Sequence, residues 1–319
     1  MIKPQLQGAN LLTNSRMACY KTCPRKHFFQ YELGIRKSRE GMPLRFGGNT
    51  HWALDLLAQG RPVAKVCATI RAKYAEGPPW SANDEQLFDW YTEGEKVARI
   101  VEGYARRWKG VPATIVASEQ GFMLPLRNPR TGAASSVFKV AGVLDRLIDF
   151  AAQLLVQETK TTGTSIQSHD YWLRTRLDQQ VTLYYWAARE TNYDVDGIEW
   201  DAIHRPGINP RKRSGETISA FGERLAEDIR ARPDFYFQRR PVPRIAADID
   251  DFLAELWQVQ KSIRLSQRMG YWYRNTAACL VPFRCEYLDI CHGAGDFSDG
   301  IPEGFWQVIN IHPELELPK

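Results

Sequence analysis

A chain of 319 residues can hold one large domain or two of ordinary size. Hydrophobic residues make up 44% and aromatic residues 12%, which supplies a core and excludes a disordered composition. The formal net charge of +5 is compatible with a nucleic-acid partner but does not require one.

The N-terminal residues contain no apolar run of the signal-peptide kind, and no stretch approaches the roughly 18 apolar residues of a membrane span. We therefore expect a cytoplasmic protein without a membrane partner. In that reducing compartment, the six cysteines are expected to be core residues, metal ligands or nucleophiles rather than a disulfide framework.

The spacing of apolar residues predicts the secondary structure along the chain. Helices are predicted at 13–35, 46–57, from about 81 or 83 through 108, 177–191, 216–230 and 245–268. Strands are predicted at 114–118, 137–144, 147–150, 154–158 and 197–204, with a turn at 128–132. The central order of helix, strands, helix and strand predicts an α/β fold in which helices pack on a sheet.

Two of the predicted neighbouring strands carry an acidic pair and a lysine. Glu158 and Lys160 are two residues apart, so alternation along a strand places them on one face, and Asp145 reaches the same place if its strand pairs. Converging carboxylates repel one another unless a cation lies between them, and Mg²⁺ and Mn²⁺ prefer such oxygen ligands. A lysine beside the metal can orient or deprotonate a water. Alone, a Glu-x-Lys pair is more often a surface ion pair.

Two further patterns flank this pair. His51 follows a glycine pair at the start of a predicted helix, and Gln180 and Tyr184 share one face of the helix after the Glu158 strand. Taken singly, each is more typical of a structural histidine, a polar surface residue or a core tyrosine.

Together these stretches resemble the RecB-like exonuclease branch of the PD-(D/E)xK nuclease superfamily, which includes the CRISPR-adaptation nucleases and AddB-type nuclease domains. That branch shows G-x-x-x-H, G-x-x-D, (D/E)-x-K and Q-x-x-x-Y in order, as do Gly47–His51, Gly142–Asp145, Glu158–Lys160 and Gln180–Tyr184. The resemblance implies a restriction-endonuclease-like core, with a central mixed sheet flanked by helices. It implies a single nuclease domain at 12–295, divided into a nuclease core at 45–204, a helical basic region at 205–269 and cysteine-bearing segments at 12–35 and 270–295.

The resemblance also implies roles for individual residues. His51, Asp145, Glu158 and the backbone carbonyl of Thr159 would ligate Mg²⁺ or Mn²⁺, and Lys160 would position the attacking water. Gln180 and Tyr184 would hold the scissile phosphate or the strand. Glu119 occupies a place where relatives sometimes have an acidic residue, and Arg146 would contact phosphate or pair with a carboxylate.

Four cysteines are divided between the two ends of the chain: Cys23 near the start, and Cys279, Cys285 and Cys291 in the tail. Four thiolates suit an iron–sulfur cluster or a zinc site, in which His292 or Cys19 is an alternative ligand. The resemblance favours a [4Fe–4S] cluster that joins the N- and C-terminal segments as a staple, although the gap of five residues between Cys279 and Cys285 departs from the common spacing of two. Cys67 is expected in the core.

Basic and aromatic residues outside these motifs predict contacts with DNA, as single strands or duplex ends. The candidates are Arg205, Arg211, Lys212, Arg213, Arg239, Arg240 and Arg244, with Tyr236, Trp272 and Tyr273 for base stacking. The chain has no G-x-x-x-x-G-K-(S/T) motif, so unwinding would require a helicase or recombination partner. The alternatives are a catalytically silent DNA-binding or assembly subunit and a zinc-stabilised binding protein.

Overall fold

The computed structural model describes residues 6–292 and 300–316. Its helices are α1 (Asn14–Thr22), α2 (Pro24–His27), α3 (Met42–Ala58), α4 (Val63–Ala75), α5 (Asp84–Arg107), α6 (His169–Thr175), α7 (Gln179–Glu190), α8 (Ile218–Ala231), α9 (Pro233–Tyr236), α10 (Ala246–Met269) and α11 (Leu288–His292). Its strands are β1 (Leu11–Leu12), β2 (Ile35–Lys37), β3 (Ala113–Arg127), β4 (Ala134–Phe150), β5 (Gln153–Thr162), β6 (Gly197–His204), β7 (Phe237–Pro241) and β8 (Phe305–Gln307).

A six-stranded mixed sheet forms the centre of the molecule. The order β1-β4-β5-β6-β7 is joined by β3, which pairs with β4. The β1–β4 and β5–β6 pairs are parallel, whereas β3–β4, β4–β5 and β6–β7 are antiparallel. The short strands β2 and β8 form a separate antiparallel ribbon. The α/β fold with a mixed central sheet is therefore confirmed.

The long strand β4 has different neighbours on its two edges. Strand β3 pairs along nearly the whole of one edge. On the other edge, β1 pairs at Lys139 and Val140, while β5 pairs only from Arg146 to Phe150. Asp145 lies immediately beyond the last β4–β5 pair, where the two strands separate. That separation leaves room for side chains in the middle of the sheet.

Helices cover both faces of the sheet and enclose two separate apolar cores. On one face, α7 and α10 contribute Leu183 and Leu256 to a core with Val156 of β5. On the other, α3, α4, α5 and α8 form a second core, which includes Ala98 and Ile203. Strand alternation sends successive β5 side chains into opposite layers.

The predicted helix at 13–35 is broken into shorter pieces. Thr13 caps α1, since its side chain accepts the backbone N–H of Arg16. Cys23 is extended, with φ −164° and ψ 115°, because the following Pro24 disfavours helical backbone in the residue before it. A π-helical turn at Phe28–Glu32 then leads into β2. The prediction of one continuous helix is wrong for this local steric reason.

Other boundaries also differ from the predictions. The predicted strands at 137–144 and 147–150 are one continuous strand, β4, because β3 pairs on both sides of the polar residues between them. Helix α3 begins at Met42 rather than at residue 46, and α4 was not predicted at all. The cysteine-bearing tail is described as far as His292, so the predicted segment boundary at 295 lies outside the described residues.

Among residues 6–292 and 300–316, no helix combines the length and the apolar character that crossing a bilayer requires.

Candidate active site

Asp145 joins the separated strands and contacts the histidine from α3. Its Oδ2 accepts the backbone N–H of Thr159 at 3.0 Å, a donor that no longer faces a β4 carbonyl. The same oxygen lies 3.6 Å from Nδ1 of His51. Burial lowers the pKa of His51 despite the nearby Asp145 carboxylate, so the imidazole is neutral at pH 7 and able to act as a ligand.

Glu158 and Lys160 lie on the β5 face that α7 covers. The Glu158 side chain is 0% exposed; its Oε1 is 2.6 Å from Nζ of Lys160. Its Oε2 has no hydrogen-bond partner among the described residues. Burial and then the Asp145 carboxylate raise the pKa of Glu158 to about 8, although the ammonium of Lys160 lowers it.

Lys160 is held on both sides. Burial alone would lower the pKa of Lys160, but the carboxylates of Glu158 and Asp145 outweigh burial and raise it, so the side chain remains an ammonium. Its Nζ donates to Oε1 of Gln180 at 2.8 Å. Gln180 in turn donates to Oη of Tyr184 at 2.9 Å. The structure thus brings Gln180 and Tyr184 into one chain of contacts with the predicted centre.

Steric contacts explain why two positions of the predicted motifs, Gly47 and Gly142, are glycine. A Cβ on Gly47 would lie 2.9 Å from Oγ1 of Thr161, so glycine lets α3 pack closely on the end of β5. A Cβ on Gly142 would lie 2.6 Å from the ring of Phe122 and 3.2 Å from that of Tyr184. Both glycines therefore set the approach of a helix that carries a site residue.

Three residues near this centre were not predicted. Asn14 of α1 donates to Oε1 of Gln180 at 3.2 Å. Asp178 caps α7, and its charge contributes to the electrostatics of Glu158 and Lys160. The Asp preceding the α7 helical pattern was a recognisable N-cap signal for Asp178. No sequence pattern connected Asn14 to residues more than 140 positions away.

The third is Asp55, one helical turn after His51. Burial, Asp145 and then Asp55 raise the pKa of Glu119 to about 7, so Glu119 lies within electrostatic reach of both carboxylates. Glu119 has a positive φ of 50°, an uncommon conformation for a residue other than glycine. Ser118 donates to Asp55 at 2.8 Å. Glu119 and Asp55 therefore add acidic character to the side of the centre that faces β3.

Arg146 lies on the opposite face of the sheet from this cluster. Its Nη1 donates to Oε1 of Gln157 at 3.2 Å, and only 8% of the residue is exposed. The prediction that Arg146 pairs with a carboxylate is therefore wrong, because its described partner is a neutral amide, and its contact with phosphate stays a prediction.

The residues of this centre fit a divalent cation. The unpartnered, buried Oε2 of Glu158 and the mutual repulsion of Glu158 and Asp145 are both relieved by a cation between them. The oxygen-rich donor set, with one neutral imidazole, suits Mg²⁺ or Mn²⁺. Across residues 6–292 and 300–316, no group of three or more His, Cys, Asp or Glu side chains has closed into metal-binding geometry.

The four predicted cluster cysteines are free thiols that come from both ends of the chain. The Sγ of Cys23 accepts the backbone N–H of Asn275 at 3.4 Å, and the Sγ of Cys291 accepts Nε of Arg274 at 3.4 Å. The backbone N–H of Cys285 donates to the carbonyl of Cys279 at 2.8 Å. Four free thiols in two segments that contact each other are compatible with a thiolate cluster. Among the described residues, these thiols do not form a group with metal-binding geometry.

The remaining cysteines have other surroundings. Cys19 is buried, and burial raises the pKa of its thiol to about 12, which disfavours the thiolate that a metal ligand requires. Cys67 is buried in the α4–α5 core and donates to the carbonyl of Ala98. His292 lies at the end of α11.

The predicted DNA-contacting residues divide into structural and available groups. Arg239 forms an ion pair with buried Asp201 at 3.2 Å, and Arg244 donates to the carbonyls of Thr175 and Asp178. These two arginines are structural, and Tyr236 and Trp272 are 1% and 3% exposed. The base-stacking role predicted for Tyr236 and Trp272 is wrong because burial excludes a base. Arg239 and Arg244 are partly exposed, so their contact with DNA stays a prediction.

The available group comprises Arg205, Arg211, Lys212 and Arg213, which line one cavity, and Tyr273, which is 56% exposed. Arg240 lies over the ring of Trp172 at 4.3 Å and donates to Gln238.

Comparisons with known proteins give one match that shows a family. Among solved structures, the matches include one titled "Crystal structure of SSO0001", at 13% identity and a TM-score of 0.30, with 82% of each chain covered. At that TM-score the likeness bears on neither fold detail nor activity. No curated protein matches the chain. The model of the PD-(D/E)XK nuclease superfamily matches residues 12–292, and the chain therefore belongs to that superfamily.

Proposed function

We propose that this protein is a Mg²⁺- or Mn²⁺-dependent deoxyribonuclease that acts as an exonuclease on single-stranded DNA or duplex ends. The observation that carries the proposal is the buried Glu158. Its carboxylate has a raised pKa and an unpartnered oxygen, and it lies against Lys160 at the point where β4 and β5 separate. A charge of this kind is costly to bury and is a feature of functional sites.

The chain's own residues support a hydrolytic mechanism. His51, Asp145, Glu158 and the carbonyl of Thr159 would hold the cation, which when bound supplies charge stabilisation to the phosphate. Lys160 presents N–H groups beside Glu158 and can orient a water toward the phosphorus. Gln180 fixes the position of the Lys160 ammonium through its 2.8 Å contact. The Tyr184 hydroxyl can donate to a non-bridging phosphate oxygen.

The activity is tested with end-labelled DNA. Wild-type protein is incubated with linear single-stranded, linear duplex and circular single-stranded DNA, with Mn²⁺ and with EDTA. We expect the linear substrates to be degraded in Mn²⁺ only, and Lys160→Ala to be inactive. Lys65→Ala is the matched control, because Lys65 is exposed on α4. Cleavage that persists in Lys160→Ala would overturn the assigned centre, and cleavage of the circle would overturn the exonuclease assignment.

We further propose that Cys23, Cys279, Cys285 and Cys291 hold a [4Fe–4S] cluster that joins the two ends of the chain. The contacts of Cys23 and Cys291 with adjacent tail residues support this assignment, as does the thiolate donor set. Such a cluster would stabilise the fold, because metal–thiolate bonding contributes directly to folding free energy. No redox step is required of it.

Iron, acid-labile sulfide and zinc are measured in anaerobically purified protein. We expect a visible absorption band with iron and sulfide in equal amounts, and a Cys285→Ala variant that has lost both and melts at a lower temperature. Cys67→Ala controls for the removal of a thiol elsewhere. Stoichiometric zinc without iron would replace the cluster with a zinc site, and unchanged melting of Cys285→Ala would overturn the stabilising role.

A further inference from the structure

A large, strongly basic cavity lies beside the candidate active site. Its volume is about 870 Å³, and it is bounded by the start of α3, by α5 and by the loop after β6. Seven of the lining side chains are cationic, whereas only two are carboxylates. The volume is of the size that accommodates a small ligand. The excess of positive charge favours an anion as that ligand.

The two carboxylates do not neutralise the cations at the back of this cavity. Glu93 is taken by Arg45 in a two-pronged pair at 2.6 and 2.8 Å. Asp89 is paired with Lys212 at 3.2 Å. In the described part of the chain, Lys96 and Arg205 form no ion pair with any carboxylate.

Lys96 and Arg205 are therefore neighbouring cations with neutral partners only. Nζ of Lys96 donates to Oδ1 of Asn209 at 2.7 Å and to the carbonyl of Pro206 at 3.3 Å. Arg205 contacts the sulfur of Met42 at 3.5 Å. Burial and then the positive charge of Arg205 lower the pKa of Lys96 to about 8. Two uncompensated cations in a half-buried position suit a phosphate group.

An aromatic wall adjoins the cationic pair. The indole of Trp80 is partly exposed and stands edge-on to Trp90, with ring centroids 5.3 Å apart. The guanidinium groups of Arg39 and Arg45 lie 5.5 and 5.4 Å from the Trp80 ring. A phosphate site next to an aromatic ring and stacked arginines matches the chemistry of a nucleotide, whose base can stack while its phosphate is neutralised.

The cavity is connected to the candidate active site by short, rigid links. Arg45 and His51 lie on the same helix, six residues or about 9 Å apart along its axis. Arg205 N–H donates to the carbonyl of Thr162 at 2.7 Å, and Thr162 is two strand residues, about 6.6 Å, beyond Lys160. A DNA strand that is bound at Lys160 therefore has its next nucleotides within reach of this cavity.

We propose that this cavity binds a nucleotide of the DNA strand next to the bond that is cleaved, with a phosphate between Lys96 and Arg205 and a base against Trp80. The proposal rests on the nuclease function proposed above and names where that enzyme holds its substrate. It differs from general electrostatic attraction because it requires both a cationic pair and an aromatic ring.

The test measures binding of a fluorescein-labelled single-stranded oligonucleotide in EDTA, by anisotropy, over salt from about 50 to 200 mM. We expect Lys96→Gln/Arg205→Gln to weaken binding about tenfold or more and to make the salt dependence shallower by about 0.7, from the loss of the one phosphate that the two cations neutralise. We expect Trp80→Leu to weaken binding about tenfold with the salt dependence unchanged. Lys65→Gln/Arg130→Gln removes the same charges at exposed positions outside the cavity and should bind as wild type.

Cleavage of the same oligonucleotide in Mn²⁺ separates the two proposals. Wild-type cleavage together with normal binding by the Lys96→Gln/Arg205→Gln variant would overturn the nucleotide site and leave the nuclease function standing. Binding that depends on Lys96 and Arg205 without any wild-type cleavage would support the site and overturn the function. An equal loss of binding in the Lys65→Gln/Arg130→Gln control would also overturn the site, because it would show attraction by net charge alone.

Discussion

The two faces of the sheet at β5 and β6 each bury a carboxylate, and the two carboxylates have different partners. The face toward α5 is called the closed face and the face toward α7 the open face. On the face toward α5, Asp201 of β6 is 0% exposed and is paired with Arg239 at 3.2 Å. It also accepts the hydroxyl of Tyr104, which Arg239 contacts at 2.7 Å. On the face toward α7, Glu158 contacts Lys160 and faces the carboxylate of Asp145. In the described structure, Oε2 of Glu158 and Oδ1 of Asp201 both lack a hydrogen-bond partner.

The difference separates a structural charge network from a functional one. A buried ion pair that is closed by further hydrogen bonds stabilises one arrangement of the chain. A buried carboxylate that has few hydrogen bonds and lies beside another carboxylate destabilises the protein until a cation binds between them. Burial, charge and an unpartnered oxygen do not distinguish Asp201 from Glu158, because Oδ1 of Asp201 also lacks a hydrogen-bond partner; the additional hydrogen bond that Asp201 accepts from Tyr104 does.

The largest expected effect on activity follows from removing the charge of Glu158 on the open face. Glu158→Gln should lower the rate of Mn²⁺-dependent cleavage about a thousandfold, because it removes a ligand and the charge that holds the cation. Its melting temperature without metal should be no lower than that of wild type, since a buried carboxylate is replaced by a neutral amide. Both are measured against Glu190→Gln, an exposed control on α7. A variant that unfolds would show that Glu158 is structural.

The closed face should respond in the opposite way. Asp201→Ala leaves Arg239 with only the more distant Glu199 carboxylate, at 3.9 Å, and should lower the free energy of unfolding by about 3 kcal/mol. Urea denaturation measures this loss. Replacing the pair together, as Asp201→Leu/Arg239→Met, should recover most of the stability, because an apolar pair leaves no uncompensated charge. Full stability of Asp201→Ala alone would remove the distinction between the faces.

Strand alternation made much of this site predictable from sequence. Glu158 and Lys160 had to share a face, and the helical spacing of Gln180 and Tyr184 had to place both on one side of α7. These relations depend on local geometry, which a strand or helix fixes. The predicted strand at 197–204 matches β6, and the helix predicted at 177–191 overlaps α7 closely, for the same reason.

Relations that depend on tertiary packing were not predictable in this way. His51 reaches Asp145 only because Gly47 allows α3 to pack closely on β5. The hydrogen bond from Arg146 to Gln157 likewise depends on the register in which β4 pairs with β5. The residues of the basic cavity are spread from Arg39 to Arg213 without a shared motif. Cysteine spacing likewise indicates donors but not the distances between their sulfur atoms.

A smaller effect is expected for the residue that holds Lys160 in place. Gln180→Leu removes the acceptor of the Lys160 ammonium and the donor to Tyr184 while keeping a similar size. The cleavage rate should fall about tenfold, with substrate affinity nearly unchanged, because a misplaced lysine affects the reacting geometry more than binding. Single-turnover rates and Kd measure the two quantities. Gln179→Leu, one position away and hydrogen-bonded to Asn14, is the matched control. Equal losses in both variants would argue against a positioning role.

The smallest expected effect is on stability, and it concerns Lys96, a cation that forms no ion pair in the described structure. Because the pKa of Lys96 is lowered from 10.5 to about 8 in the folded protein, folding disfavours its ammonium form, and stability falls as the pH drops through that range. Lys96→Gln should therefore raise the free energy of unfolding at pH 7 by about 1 kcal/mol, after allowance for solvent screening. The gain should shrink as the pH rises from 8 toward 10.5. Urea denaturation across this range, with Lys65→Gln as control, measures it. A loss of stability in Lys96→Gln would instead identify Lys96 as a structural residue, like Arg239, and not as a cation that is available to a ligand.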